Sequence, residues 1–179
     1  MGKARRVWFT GDWHLHHTNI IKYCKRPFKT TEEMDCAILQ NYKDTVGKND
    51  TVYFLGDLAM DGRCTMAILP ELVEHCGGNF TFIVGNHDRD KPKSLLAAPT
   101  LYEFGVNTKV GPQDVTLCHY PLESWHKSCH GSIHVHGHSH GRLREIPYRV
   151  DVGVDCWDYK PVSLKQVMES VRGRENGQL

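Results

Sequence analysis

The sequence lacks the features of a secreted or membrane protein. No apolar run approaches the ~18 residues that span a bilayer. The basic start at residues 3–6 is followed only by residues 7–10 before Asp12 interrupts the apolar run, which is too short for a signal peptide. We therefore expect a cytoplasmic protein with no membrane partner.

Paired cysteines and a strong net charge are also missing. The seven cysteines are an odd number, are widely spaced and include no C-x-x-C pair, which argues against a disulfide framework and a zinc knuckle. A formal net charge of +1 gives no general attraction to nucleic acid or anionic membrane. A nucleic-acid partner is therefore not indicated. The length of 179 residues predicts one domain, residues 1–179.

The first half of the chain alternates strand and helix patterns. Three apolar runs rich in β-branched and aromatic residues each end at a glycine and predict buried strands at residues 7–10, 51–55 and 80–84. A capping-box pattern from Thr30 to Glu33 opens a helix to about Val46, and a second helix is predicted from Arg63 to His75, with Pro70 kinking or restarting it. This order predicts a largely parallel sheet whose carboxyl ends share one edge.

The second half predicts short strands and a closing helix. The strands are expected at residues 106–110, 115–119, 132–136, 143–146 and 149–154, and the helix at residues 163–172. No repeat or linker pattern marks a domain boundary in either half.

Histidine, in contrast, is abundant, and polar residues gather at the predicted strand ends. Seven of the twelve histidines lie between His119 and His140, which suggests a metal or acid–base site. Imidazole and carboxylate ligands suit Mn, Fe or Zn. Residues two apart on extended backbone face the same way, with Cα atoms roughly 6.7 Å apart. The strand-end residues are Asp12 and His14, Gly56-Asp57, Gly85-Asn86-His87-Asp88, His119, and Gly137-His138-Ser139-His140.

These blocks resemble those of the calcineurin-like metallophosphoesterases. The family's blocks D-x-H, G-D, G-N-H-[DE], a lone H and G-H-x-H occur here in the same order, over residues ~7 to ~155. The resemblance implies an α/β fold, a four-layer α/β/β/α sandwich with mixed sheets flanked by helices. It also implies two divalent metal ions as cofactors. Mn²⁺ is the first expectation, and Fe, Zn, Co and Ni are alternatives because N/O sites accept them according to supply.

The resemblance also assigns roles to the block residues. The first metal would be bound by Asp12, His14, Asp57 and His140, and the second by Asp57, Asn86, His119 and His138, with Asp57 bridging. The catalytic set would be His87, Asp57 and Asn86. Two such dications would make a shared water acidic enough to lose its proton near neutral pH and attack phosphorus in line, and His87 would steady the transition state or protonate the leaving alkoxide.

Several residues near the blocks have less certain roles. His17 is a weaker candidate for substrate binding, preferred to His16 because a helix starts beside it, and Arg26, Arg89 and Arg142 are candidate phosphate clamps. His75, His126 and His130 are interpreted as non-ligands. His134 and His136 share the alternation of His138 and His140, but Gly137 marks the end of the strand, so we expect both inside it.

The second block differs from that of the protein Ser/Thr phosphatases, one branch of the family, and this difference narrows the expected function. Protein Ser/Thr phosphatases continue the second block as G-D-x-x-D-R-G. Here Asp61 comes one place later and no arginine follows, which leaves its role in orienting His87 open. We expect a phosphoesterase with a small phosphorylated substrate, a monoester or a diester and potentially a nucleotide, in an open site without a cap domain. The alternatives are a metal-dependent nuclease acting on DNA or RNA and, more remotely, a non-catalytic protein-binding scaffold.

Overall fold

Two mixed β-sheets form the centre of the molecule. The computed structural model describes residues 5–88 and 92–175. The first sheet has the order β4-β3-β2-β1-β9 and the second the order β5-β6-β7-β8. The strands of the first sheet are β1 (Val7–Thr10), β2 (Thr51–Phe54), β3 (Phe80–Ile83), β4 (Thr100–Tyr102) and β9 (Val162–Ser163). Those of the second are β5 (Gly105–Val110), β6 (Gln113–Cys118), β7 (Ile133–His136) and β8 (Arg149–Asp151).

The strands that end at the sequence motifs run parallel to their neighbours. In the first sheet β1, β2, β3 and β4 are parallel, and only β9 is antiparallel, to β1. In the second sheet β6, β7 and β8 are parallel, and β5 forms an antiparallel hairpin with β6. The carboxyl ends of these parallel strands therefore meet at one edge of each sheet, where ligand sites form in α/β proteins.

Helices flank the sheets, which confirms the predicted fold class. The helices are α1 (Thr18–Tyr23), α2 (Thr31–Thr45), α3 (Gly62–His75) and α4 (Leu164–Glu175). Thr30 caps α2 by accepting a hydrogen bond from the Glu33 amide at 3.2 Å, as the capping box predicts. Helix α3 continues through Pro70. Within the two described ranges, no helix combines the length and the apolar character that crossing a bilayer requires.

Alternating side chains of the first sheet pack into two hydrophobic cores, one on each face of the sheet. Trp8 and Phe54 pack on one side with Met34 and Tyr42 of α2, whereas Phe9 on the opposite face joins a second core. The second core lies between the sheets and reaches α4. It contains Phe9, Leu55, Ile83, Val115, Leu117, Val135, Val150 and Val167. Two large buried faces thus hold the sheets in fixed positions, so that their edges can align a site.

The structure corrects one predicted element and adds others. The strand expected at residues 143–146 is wrong: this exposed segment is an irregular connection that turns before Arg149. Strand β8 is shorter than expected, because the chain turns into a short 3₁₀-helix at Val154–Cys156. Strands β4 and β9 were not predicted, since they have only three and two residues.

Candidate metal centre

The chain turns sharply at the ends of β1, β2 and β7, three of the parallel strands that carry a motif. Five residues of the motifs have left-handed backbone, with φ of +56° at Asp12, +52° at His14, +58° at Asp57, +67° at His138 and +49° at His140. This conformation is uncommon for residues other than glycine and costs of order 1–3 kcal/mol at each position. The turns after β1 and β2 support each other through bonds from the Asp12 amide to the Gly56 carbonyl and from the His14 amide to the Asp57 carbonyl, both 3.0 Å.

Two of the four groups of potential metal ligands among the described residues consist entirely of the predicted metal ligands. Each group contains three residues whose potential ligand atoms lie within 4.8 Å of one another. Their members are Asp12, His14 and His140 in the first group, and Asp57, His119 and His138 in the second. The division of the residues between the two groups is the one that the family resemblance implies.

Asp57 lies between the two groups. Its Oδ2 is 3.5 Å from His14 Nε2, in the first group, and 3.5 Å from His119 Nε2, in the second. A carboxylate that faces both groups can contribute an oxygen to each of two cations. The geometry therefore fits the bridging role that the resemblance implies.

Asn86 completes the second group. Its Oδ1 lies 3.0 Å from His119 Nε2 and 2.9 Å from His138 Nδ1. Three potential ligand atoms from three different strand ends thus converge, and Asn86 supplies the uncharged oxygen among them.

The chemistry of the donor atoms fits cations. Asp12 Oδ1 and both ring nitrogens of His14 are buried and have no hydrogen-bond partner among the described residues. Burial raises the pKa of Asp12 well above its usual range and lowers the pKa of His14 well below its own. Buried polar atoms of this kind are costly unless something satisfies them. Metal ions at these positions would supply that partner.

Hydrogen bonds on the far ring nitrogens orient two of the histidines. His119 Nδ1 donates to the Leu55 carbonyl at 2.6 Å, and burial lowers the pKa of His119 to about 4, so its neutral ring offers Nε2 to the site. His140 Nδ1 donates to Asp155 at 2.7 Å. Burial opposes the protonation of His140, but the bonds to Asp155 and Cys24 prevail and raise its pKa to about 10. Bonds of this type fix the tautomer and orientation of metal-binding histidines.

Contacts with the backbone explain why the third block begins with a glycine, Gly85, and ends with an acid, Asp88. Asp57 Oδ1 accepts a hydrogen bond from the His87 amide at 2.9 Å, and a Cβ on Gly85 would overlap this oxygen. Asp88 accepts bonds from the amides of Asp57 at 2.6 Å and Gly85 at 2.9 Å. Asp88 therefore joins the ends of β2 and β3, a role that the sequence analysis did not assign. Its position beside Asn86 and His87 was the available signal.

His87 and His17 lie over the first group of ligands. The ring of His87 is 5.0 Å from that of His14, and the two share a potential ligand group with Asp57. The ring of His17 lies 5.5 Å from His14 and 6.1 Å from His87, whereas the His16 ring is exposed beside Asp35. The structure thus places the rings of His87 and His17 beside the candidate ligands, and the roles of both residues stay predictions.

Arg26 does not have its predicted position. Its guanidinium is fully buried and donates to Asp155, to the carbonyls of Asp12 and Trp13, and to the Met34 sulfur. These contacts engage all its donors, so the prediction that Arg26 binds a phosphate is corrected: it holds the backbone of Asp12, a candidate metal ligand. Its partner Asp155, which also orients His140, was missed by the sequence analysis, because nothing but its place after β8 marks it.

The other residues considered in the sequence analysis lie in different environments. Arg142 is exposed and donates to Cys24 Sγ at 3.0 Å, at the rim of the first ligand group, while Arg89 lies outside the described residues. Asp61 caps α3 by accepting from the Arg63 amide at 2.9 Å. His134 and His136 are buried in β7, as expected.

Fold and site together define a metal-binding α/β protein with the ligand arrangement of a phosphoesterase. The comparisons agree: the chain belongs to the calcineurin-like phosphoesterase family, whose model matches residues 5–155. This confirms the family resemblance seen in the motifs.

The names of the similar proteins state no activity. The chain is 34% identical to the uncharacterised protein MJ1445 of Methanocaldococcus jannaschii, over 93% of this chain and 92% of that protein. It is 29% identical to the Gene 66 protein of Mycobacterium phage D29, over 96% and 98% of the two chains. The crystal structure of the protein of unknown function AQ665 from Aquifex aeolicus has the same fold, with a TM-score of 0.70 and 23% identity over 93% of this chain and all of that one.

Proposed function

We propose that the chain is a dinuclear metal-dependent phosphoesterase that hydrolyses a small phosphomonoester or phosphodiester. The observation that carries this proposal is the position of Asp57 Oδ2, 3.5 Å from one histidine nitrogen of each ligand group. Two divalent ions, with Mn²⁺ expected first, would lower the pKa of a shared water and neutralise phosphate oxygens. The donor set of imidazole, carboxylate and amide oxygen suits such ions.

The chain's own residues position the reaction. Asp12, His14 and His140 form one half of the site, and Asn86, His119 and His138 form the other, with Asp57 between them. The left-handed turns and the bonds to Leu55 and Asp155 hold these side chains before a substrate arrives. Little reorganisation is then needed as charge develops on the phosphoryl group, which is the basis of electrostatic catalysis.

His87 is proposed as the group that assists the leaving alkoxide. Its amide is anchored to Asp57 and its ring faces His14, so an imidazole stands beside the place where the phosphoryl group would lie. An imidazole there can donate a hydrogen bond or a proton to the departing oxygen. His17, on the same side, and Arg142, at the rim, are proposed to contact the substrate.

The test separates metal binding from catalysis. The variant His87→Ala should retain the metal content of the wild type, measured by elemental analysis, because His87 is not one of the seven residues assigned as ligands. It should lose about 10²–10⁴-fold in kcat on p-nitrophenyl phosphate and bis(p-nitrophenyl) phosphate, the range typical of general acid catalysis. His130→Ala, an exposed histidine outside the site, is the matched control and should keep the wild-type rate.

Three results would decide the role of His87, the preferred substrate and the proposed function itself. Wild-type rates of His87→Ala on both substrates would remove His87 from the mechanism. The ratio of kcat/KM for the two substrates in the wild type would establish whether monoesters or diesters are preferred, and the absence of turnover on both would contradict the proposed function.

A further inference from the structure

A pair of aromatic rings, one half-buried and one exposed, borders the second ligand group. The ring of Tyr120 lies 5.0 Å from the ring of His119 and 4.9 Å from that of His138. Phe104 stacks against Tyr120, with the ring centroids 6.4 Å apart and the planes inclined by 28°. Phe104 nevertheless remains 58% exposed. One of its faces is therefore covered by Tyr120, while much of the ring meets solvent a short distance from the metal ligands.

A hollow opens beside Phe104 on the outer side of the second sheet. Its volume is about 450 Å³, which lies in the range of roughly 300–1,000 Å³ for small-molecule sites. The walls combine aromatic and apolar groups with a few polar ones. They include Phe104, Asn107, Thr116, Leu122, Trp125 and His126.

We propose that this hollow binds the nucleobase of a small nucleotide whose phosphoryl group lies at the metal centre. The inference rests on the proposed function and names the substrate class for it. A nucleobase is a flat ring that stacks on aromatic side chains, each stack contributing about 1–3 kcal/mol. Phe104 and Trp125 present such rings, and Tyr120 connects Phe104 to His119 and His138.

A polar group in the hollow can bond to the base edge. The Oδ1 of Asn107 accepts a hydrogen bond from the Thr116 hydroxyl at 2.7 Å. This bond fixes the orientation of the amide, so Asn107 offers its N–H₂ group as a donor. Ring nitrogens and carbonyl oxygens of nucleobases are acceptors for such a donor, whereas an alkyl substituent has none.

A free nucleotide fits the surroundings better than a nucleic acid. A polynucleotide needs a basic track for its successive phosphates, and the chain has a formal net charge of only +1. The hollow is lined by Phe104, which stacks on Tyr120, and Tyr120 in turn contacts His119 and His138. We therefore assign one nucleotide to this surface.

The kinetic test compares a substrate that has a base with one that lacks it. On the Mn²⁺-loaded protein, Phe104→Ala should raise KM for adenosine 5′-monophosphate about 5- to 150-fold, the equivalent of one lost stack. KM for ribose 5-phosphate and kcat for both should stay unchanged. Phe104→Trp should restore the low KM, since it keeps an aromatic face. Met66→Ala, which removes a side chain that is 57% exposed on α3, is the matched control and should change neither substrate.

A binding measurement distinguishes failure of this inference from failure of the proposed function. Calorimetric titration with adenosine 5′-monophosphate and ribose 5-phosphate should show the same selective loss in Phe104→Ala, whether or not either compound is hydrolysed. Equal affinities of wild type and Phe104→Ala for adenosine 5′-monophosphate, or an equal loss for both compounds, would overturn the inference. Tighter, steeply salt-dependent binding of a single-stranded oligonucleotide would overturn the assignment to a free nucleotide.

Discussion

Asp155 holds two residues of the metal centre at once. Its carboxylate accepts from His140 Nδ1 at 2.7 Å and from Arg26 Nε and Nη2 at 2.8 and 2.7 Å. Arg26 in turn donates to the Asp12 carbonyl at 2.8 Å. A single carboxylate therefore fixes two candidate ligands, His140 through its ring and, by way of Arg26, Asp12 through its backbone. Contacts of this kind, behind the ligands, commonly control metal affinity.

Replacing Asp155 should weaken metal binding without removing a ligand. In Asp155→Asn the amide is a poorer partner for both His140 and Arg26, and we expect Mn²⁺ affinity to fall about 10- to 100-fold. Calorimetric titration of chelator-treated protein measures this change. Asp114→Asn, at a carboxylate paired with the surface Lys127, is the control and should bind as the wild type does. Unchanged affinity in Asp155→Asn, with an intact fold by circular dichroism, would contradict the role.

The difference between Asp155 and the predicted ligands shows what the sequence can reveal at single residues. Asp12, Asp57 and Asn86 could be located because each directly follows an apolar strand pattern in a short block. Asp155 meets Arg26, which is 129 positions away in the chain. Such a pairing results from the packing of the two sheets and leaves no local pattern. For the same reason Arg26 was assigned to the substrate, since charge alone does not indicate burial.

Among the elements, β7 carries a buried histidine that should make folding sensitive to acid. His134 Nε2 accepts a hydrogen bond from the Leu122 amide at 2.9 Å, and Nδ1 donates to the Thr116 carbonyl at 3.1 Å. Burial lowers the pKa of His134 to about 4. The unfolded chain, with a histidine pKa near 6.5, therefore binds more protons than the folded chain between about pH 4 and 6.5.

The stability contributed by neutral His134 should be lost as the pH falls through this window. From the two pKa values we expect about 2–3 kcal/mol less stability from this residue at pH 4.5 than at pH 7. The measurement is urea unfolding of metal-free protein at both pH values, comparing wild type with His134→Gln. The variant should show a smaller pH dependence, although it is less stable at pH 7. An equal pH dependence in both proteins would exclude His134 as a source.

The strands show which elements a sequence pattern can predict and which it cannot. The strands β1, β2 and β3 were predictable because each is a short, continuous run of apolar and β-branched residues that the helices and the second sheet cover. The exposed strand β4 has no buried face to create such a pattern. In contrast, the segment at residues 143–146 has apolar residues at its ends but stays at the surface, so periodicity alone predicted a strand wrongly.

At the scale of the whole molecule, the candidate site joins the two sheets. Asp12, His14, Asp57 and Asn86 follow strands of the first sheet, and His119, His138 and His140 follow strands of the second. The Asp12 carboxylate already accepts a bond from the His138 amide at 2.8 Å across this boundary. Metal ions held by both sets would tie the sheets together, and the unfolded chain would not bind them in this arrangement.

Metal removal should therefore destabilise the entire fold. For one site, a free metal concentration of 100 Kd adds about 2.7 kcal/mol to the free energy of unfolding. We expect Mn²⁺ to raise Tm relative to protein in chelator, as followed by circular dichroism. Asp57→Asn should abolish most of this increase, because Asp57 faces both ligand groups, whereas Asp114→Asn should retain it. An undiminished increase in Asp57→Asn would mean that Mn²⁺ acts elsewhere, since a carboxylate shared by both groups cannot be lost without weakening both.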